Sequence, residues 1–320
     1  MKLIYTFLIL CCWLSGSVHA QRLSINDCWK FAKGNIDMSM LSQQAVWTNI
    51  TLPHTWNGYD GQDGGDDYYR GTGWYMRALS FDKNDRGKCI YLRFGAANYL
   101  TEVYLNGVSI GTHSGGYTAF AFDITPFVRY DMSNQLLVKV SNADGLPIPP
   151  LSADFTFFGG LIRGVELIKK NKLHITAEDY GSNGVYVRQD KVSDKEAMLS
   201  FTAKVRNTEK KAQKAVISFL IKEQDGKVLK ETKEEKMILP ETTMPITSTF
   251  QIDNPHLWNG KKDPYLYTAE VKVKVGSEIV DNYTFPLGIR YYSIDPDRGF
   301  ILNGHSYPDS TGEACMDRKD

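Results

Sequence analysis

The chain is predicted to be all-β, two antiparallel sandwiches in series, and three features say so. Short apolar runs alternate with polar residues along most of its length, as in strands that bury one face. Turn dipeptides punctuate those runs, notably Asn106-Gly107 and Asp225-Gly226, where a two-residue hairpin needs positive φ. No stretch keeps the helical period over the length an amphipathic helix requires. With 320 residues, 42% of them hydrophobic, the chain is long enough for two or three domains with substantial cores.

Met1 to Ala20 has one positive charge at Lys2, an apolar run from Leu3 to Leu14, and small residues up to Ala20. Residues 1–20 therefore read as a signal peptide, and the protein as exported, periplasmic or extracellular. An apolar run of about a dozen residues is too short to span a bilayer, and no later segment approaches the ~20 that a membrane helix needs. Cys11 and Cys12 follow Leu10 and Cys11 rather than small residues, which disfavours lipid attachment. Without the leader, Cys28, Cys89 and Cys315 remain, odd in number and widely spaced. They predict buried free thiols, not a disulfide framework or a zinc site.

Residues 21–170 form the first predicted sandwich. Its strands include CIYLRF from Cys89, QLLVKVSN from Gln135 and GVELIKK from Gly164. Between Leu100 and Thr125, Val103 and Leu105 alternate with Tyr104, Asn106-Gly107 turns the chain, and Val108 and Ile110 resume the alternation. Two loops, Asn57 to Arg70 and Ala143 to Phe155, are long for a sandwich, and long ordered loops tend to carry function. Residues 171–290 supply a second set of strands whose number and total length suit an immunoglobulin-like sandwich. The Lys/Glu run from Lys230 to Lys236 has cancelling charges and reads as a solvated strand face. Trp258 and Tyr265 read as packing residues.

Lys plus Arg equals Asp plus Glu at 37 each, so no basic surplus favours nucleic acid or anionic lipid. A neutral ligand such as a carbohydrate fits better. Aromatic residues make up 12% of the chain, and their rings stack on the apolar faces of sugars. Sandwiches are rich in such residues in any case.

Four strings carry a resemblance: LPHTWN from Leu52, RGTGWYMR from Arg70, the Leu100–Thr125 hairpin region, and FFGGLIRGVEL from Phe157. In that order and spacing they resemble the sugar-binding domain that opens glycoside hydrolase family 2, the β-galactosidase and β-glucuronidase family. NPHLWNGKKDPYLYTAEV from Asn254 resembles that family's immunoglobulin-like segment, and GIRYYSIDPDRGFILNGHSYP from Gly288 resembles the junction with its (β/α)8 barrel. The resemblance implies a jelly roll over 21–170, an immunoglobulin-like sandwich over 171–290 and a short barrel stub over 291–320. DSTGEACM stands where the family has Leu-x-Gly-Val, and Asp317 to Asp320 resembles it again. Set against the family pattern, this implies a compensated reading-frame slip across Asp309 to Met316, an expectation that resequencing the gene would test.

Retaining glycosidases need two carboxyl groups about 5 Å apart. The resemblance puts both, as glutamates, on barrel strands beyond Asp320, so no catalytic residue is expected in this chain. The Asn-Glu pair that usually marks the acid/base is absent from all 320 residues. Glu102 and Glu166 read as strand-face residues. Asp154, nine residues before Arg163, matches a family Asp that contacts sugar hydroxyls and a bound sodium ion in β-galactosidases. A carboxylate suits both tasks, and it equally suits capping a turn. Asp63 and Asp66, in GYDGQDGGDDYYR, either join that site or belong to a solvated loop. Arg163 is expected to fix its loop through a buried ion pair.

His54 and His113 read as hydrogen-bonded packing residues, and the pairs Gly115-Gly116 and Gly159-Gly160 as turn glycines. No cofactor is expected in this chain, with Na⁺ or Mg²⁺ implied for a full-length enzyme. The function implied is the non-catalytic amino-terminal part of a family 2 glycoside hydrolase, inactive without its own catalytic barrel. A free-standing carbohydrate-binding or adhesion module and a non-functional truncated product are the alternatives.

Overall fold

A computed structural model describes residues 21–60, 62, 68–148 and 156–307. The expectations for residues 1–20, Asp63, Asp66, Asp154, Cys315 and the Asp309–Met316 segment lie outside the described residues. The first domain contains β1 (Gln21–Ser24), β2 (Trp29–Lys33), β3 (Thr48–Ile50), β4 (Thr72–Ser80) and β5 (Cys89–Phe94). It continues with β6 (Leu100–Leu105), β7 (Val108–Ser114), β8 (Phe120–Asp123), β9 (Ser133–Ser141) and β10 (Val165–Lys170). Two sheets result, ordered β1-β10-β5-β8 and β3-β2-β4-β9-β6-β7, with sequence-distant strands side by side as in a jelly roll. The inward faces meet in one core around Trp29, Tyr75, Phe94, Val103, Leu105 and Val138.

Asn106 and Gly107 take φ of 54° and 81°, the paired positive values of the predicted turn. Val108 does not return to the core. It is exposed because β7 is the edge strand of its sheet.

The second domain contains β11 (Leu173–Ile175), β12 (Val185–Val192), β13 (Glu196–Asn207), β14 (Gln213–Lys222), β15 (Val228–Ile238), β16 (Thr243–Asp253), β17 (Tyr267–Val275) and β18 (Glu278–Leu287). Strand β13 pairs with β16 along one side and with β11 and β12 along the other, while β15-β14-β17-β18 forms the facing sheet. Burial in β13 alternates at every residue, with Leu199, Phe201, Ala203 and Val205 inward. The Lys/Glu run lies on β15, an edge strand, where charges oppose edge-to-edge pairing. A small sheet of β19 (Tyr292–Asp295), β20 (Gly299–Leu302) and β21 (His305–Ser306) follows.

The junction between the sandwiches is polar and closed. Lys170, at the end of β10, places Nζ 2.8 Å from Asp281 Oδ2, with only 5% and 1% of the two side chains exposed. The same carboxylate oxygen accepts the Ile175 N–H at 2.7 Å. His174 donates Nδ1–H to the Asn171 carbonyl and accepts the Tyr91 hydroxyl at Nε2, 2.8 Å away. Burial, with Lys170 adding to it, holds this imidazole neutral, its pKa pushed down to about 3. Arg93 crosses the junction as well, donating Nε–H to the Gly181 carbonyl while pairing with Glu166.

Two cysteine and histidine expectations change. Cys89 is buried against Thr208, but Cys28 is exposed, in a bend at φ 61° just before β2. His113 stacks on Phe120 with ring centres 4.0 Å apart, and its buried Nε2 has no hydrogen-bond partner among the described residues.

Candidate functional site

Four loops converge at one end of the jelly roll: β3–β4, β5–β6, β7–β8 and β9–β10. Their meeting depends on residues with little or no side chain. A Cβ on Gly159 would fall 2.1 Å from the Trp56 ring, and one on Gly116 would fall 1.9 Å from Asn98 Oδ1. Only glycine lets these loops pack so closely.

Two buried amides hold the arrangement. Asn142 accepts the Gly71 N–H at 2.9 Å and donates to the Phe157 carbonyl at 2.7 Å and to Asn57 Oδ1 at 3.3 Å. Asn57 Oδ1 also accepts the Gly159 N–H, while its amide donates to Asp60 and to the Tyr69 carbonyl. Arg70 donates Nε–H to the Asn142 carbonyl, pairs with Asp144 and lies 4.3 Å over the Phe157 ring. The described flanks of both long loops are thus tied to one point. Asp63, Asp66 and Asp154 lie outside the described residues of those loops.

Above this frame lies a cleft of about 240 Å³ lined by Pro53, His54, Thr55, Asn98, Tyr117, Phe158 and Ile162. Asn98 donates its amide to the Phe158 carbonyl at 2.8 Å, and its main chain bridges Gly160. Its Oδ1 is buried with no donor among the described residues. His54 is the hydrogen-bonded packing residue expected, with Nδ1 2.8 Å from the Tyr75 hydroxyl. Burial lowers its pKa and keeps it neutral.

Arg163 corrects an expectation. It is exposed and donates Nη1–H to the Tyr117 carbonyl at 3.0 Å, fixing the loop through a carbonyl instead of a buried ion pair. Sequence reasoning missed Asn98 and Phe158. The available signals were an amide directly after the small residues of GAAN and an aromatic ring directly before Gly159-Gly160.

The acids of the sandwich strands are engaged elsewhere. Glu102 accepts from Tyr104 and pairs with Lys139, and Glu166 pairs with Arg22 and Arg93. Another cleft, of about 330 Å³, lies beside the β20–β21 hairpin and includes His256, Asp263 and His305. Its central polar pair is already satisfied, with His256 Nε2 and Asp263 Oδ2 2.7 Å apart. Among the described residues no three His, Cys, Asp or Glu side chains form a group able to hold a metal ion. None of their helices is long and apolar enough to cross a membrane.

Comparison with known families matches the model for glycosyl hydrolases family 2, sugar binding domain, over residues 22–171 and that for glycosyl hydrolases family 2 over residues 180–290. The chain belongs to glycoside hydrolase family 2. A β-glucuronidase of Bacteroides fragilis is 38% identical over 96% of this chain and 43% of its own length. A β-galactosidase of Bacteroides ovatus is 32% identical over 89% of this chain and 33% of its own. Among solved structures, β-glucuronidase 2 of Bacteroides uniformis, covalently bound to cyclophellitol-6-carboxylate aziridine, superposes with a TM-score of 0.83 at 36% identity, covering 90% of this chain and 34% of that one. The chain therefore spans less than half the length of these family 2 relatives.

Proposed function

We propose that the two sandwiches are the non-catalytic amino-terminal portion of a secreted family 2 β-glycosidase that hydrolyses a β-galactoside or related β-glycoside with retention. The observation that carries this reading is the match of both family models, in order, by a chain that spans 43% of its B. fragilis relative. Retention requires two carboxyl groups about 5 Å apart flanking the scissile bond. The strand acids Glu102 and Glu166 are each neutralised by Lys or Arg, as structural carboxylates are. We assign the bond-breaking chemistry to the catalytic barrel of a longer chain, and to this domain the binding of carbohydrate at its loop end.

There, Asn98 offers an acceptor lacking a donor, which a sugar hydroxyl would supply. Export through residues 1–20 belongs to the same proposal, as does a Na⁺ or Mg²⁺ ion in the longer protein. No described residues form a site for that ion, and no step is routed through it. Incubation of the 320-residue chain with nitrophenyl β-galactoside and β-glucuronide should release no nitrophenol, whereas a barrel-bearing chain should cleave one of them with retention. Turnover by the 320-residue chain, purified free of contaminating glycosidase, would overturn the reading.

A further inference from the structure

We infer that a second cleft of the jelly roll, bordered by β2, β4 and β9, binds a small carboxylate through Arg77 and Lys30. It lies away from the loop end, since β4 leaves that end at Thr72 and Arg77 stands in its distal half. The inference goes beyond the family reading and does not depend on it.

Arg77 is out of place for a cation. Alternation along β4 sets it on the side of Tyr75 and Leu79, and its partner on β9 is Leu136, all three being core residues. Its Nε and Nη1 are buried without a hydrogen-bond partner among the described residues. Burial lowers its pKa from the ordinary value, while Asp27 and Cys28 oppose that only through space. Other half-buried arginines are satisfied: Arg70 donates to the Asn142 carbonyl, and Arg22 and Arg93 pair with Glu166. A desolvated guanidinium with idle donors calls for an acceptor.

The surroundings favour an anion. Cys28, Lys30, Met76, Ala78, Ser133 and Gln135 line the cleft with Arg77, and no acidic side chain does. Two cations therefore meet here in a chain whose charges balance at 37 each. The Gln135 amide donates to the Met76 thioether at 3.3 Å, a weak acceptor that a carboxylate oxygen outcompetes. A guanidinium fork matches the planar carboxylate, with an ammonium beside it as a point charge. At about 270 Å³ the cleft suits an acid of a few carbons, since sites for drug-sized ligands begin near ~300 Å³.

Cys28, exposed on the cleft wall, provides the reporter. The 320-residue chain is treated with iodoacetate or with neutral iodoacetamide, and alkylation of Cys28 is followed by peptide mapping. In either case the thiolate sulfur bonds to the methylene carbon as iodide leaves, so the reagents differ chiefly in the carboxylate. Iodoacetate labelling should saturate with concentration, and iodoacetamide labelling should stay linear. Arg77→Met should lower the iodoacetate-to-iodoacetamide rate ratio about tenfold, without lowering the urea midpoint. Lys30→Gln, at an exposed position, should lower it about threefold, and keeps the test open if Arg77→Met does not fold. Propionate should slow labelling by both reagents, and propionamide by neither.

A free acid and an acidic side chain share this chemistry. Propionate stands for the first and N-acetylglutamate α-amide for the second, so whichever protects Cys28 at lower concentration identifies the source. Linear labelling by iodoacetate would overturn the inference, as would a rate ratio unchanged in both variants. Protection by sodium chloride equal to that by propionate at the same ionic strength would also overturn it, leaving only a diffuse field around two cations.

Discussion

The junction between the sandwiches and the loop end of the jelly roll bury polar groups to different ends. At the junction, Lys170, Asp281 and His174 are buried together with partners from both domains. At the loop end, the amide of Asn98 is buried with one atom paired and the other unpaired, under rings that remain exposed. A saturated polar cluster fixes geometry and has nothing left to offer a ligand. A frame satisfied beneath and open above is what recognition requires.

Breaking the junction should have the largest effect. Asp281→Ala leaves Lys170 buried without a counter-charge and the Ile175 N–H without an acceptor. Removing one partner of such a pair costs about 3–5 kcal/mol, while replacing both by apolar groups is often neutral. Urea unfolding should show that loss in the single variant and recovery of only part of it in Lys170→Met/Asp281→Leu, where the charge is gone but the Ile175 N–H still lacks its acceptor. A single variant within about 1 kcal/mol of wild type would mean that water reaches the pair, and the contrast with the loop end would fail.

A milder perturbation uses pH. The folded His174 has a pKa of about 3 against an ordinary 6.5. As pH falls below 6.5 the unfolded chain takes up a proton that the folded chain refuses until about 3. The contribution of this residue is therefore complete above the unfolded value and declines across that window, by on the order of a few kcal/mol. Denaturation series at neutral and mildly acidic pH should show a shallower loss in His174→Gln than in wild type. Identical slopes would place the acid sensitivity elsewhere.

These contrasts were unevenly legible in the sequence. The two sandwiches were, because strand alternation and the Asn106-Gly107 and Asp225-Gly226 turns are local signals that burial enforces. The family followed from strings that keep their order, such as LPHTWN and FFGGLIRGVEL. The junction was not legible: Lys170 and Asp281 lie 111 residues apart, and nothing local distinguishes them from surface charges. At the site, Asp63 and Asp66 stand out as acids of a Gly-rich loop and Asp154 as the match to a family Asp. Asn98 and Phe158 owe their roles to close approaches at Gly116 and Gly159, which only the folded chain displays.

The smallest effect sharpens the comparison most. Asn142 is fully buried, beneath the loops at the end of the jelly roll. Asn142→Ala frees the Gly71 N–H, the Phe157 carbonyl and part of Asn57. Leaving such groups unpaired costs about 1–3 kcal/mol, less than stranding a charge. Its influence on binding should be the larger of the two variants, because it loosens the segment that presents Phe158. Asp281→Ala, measured where it is still folded, should keep wild-type affinity for a β-galactoside. If both variants lose binding in proportion to stability, the loop end is not a separately tuned surface, and the frame beneath Phe158 serves folding alone.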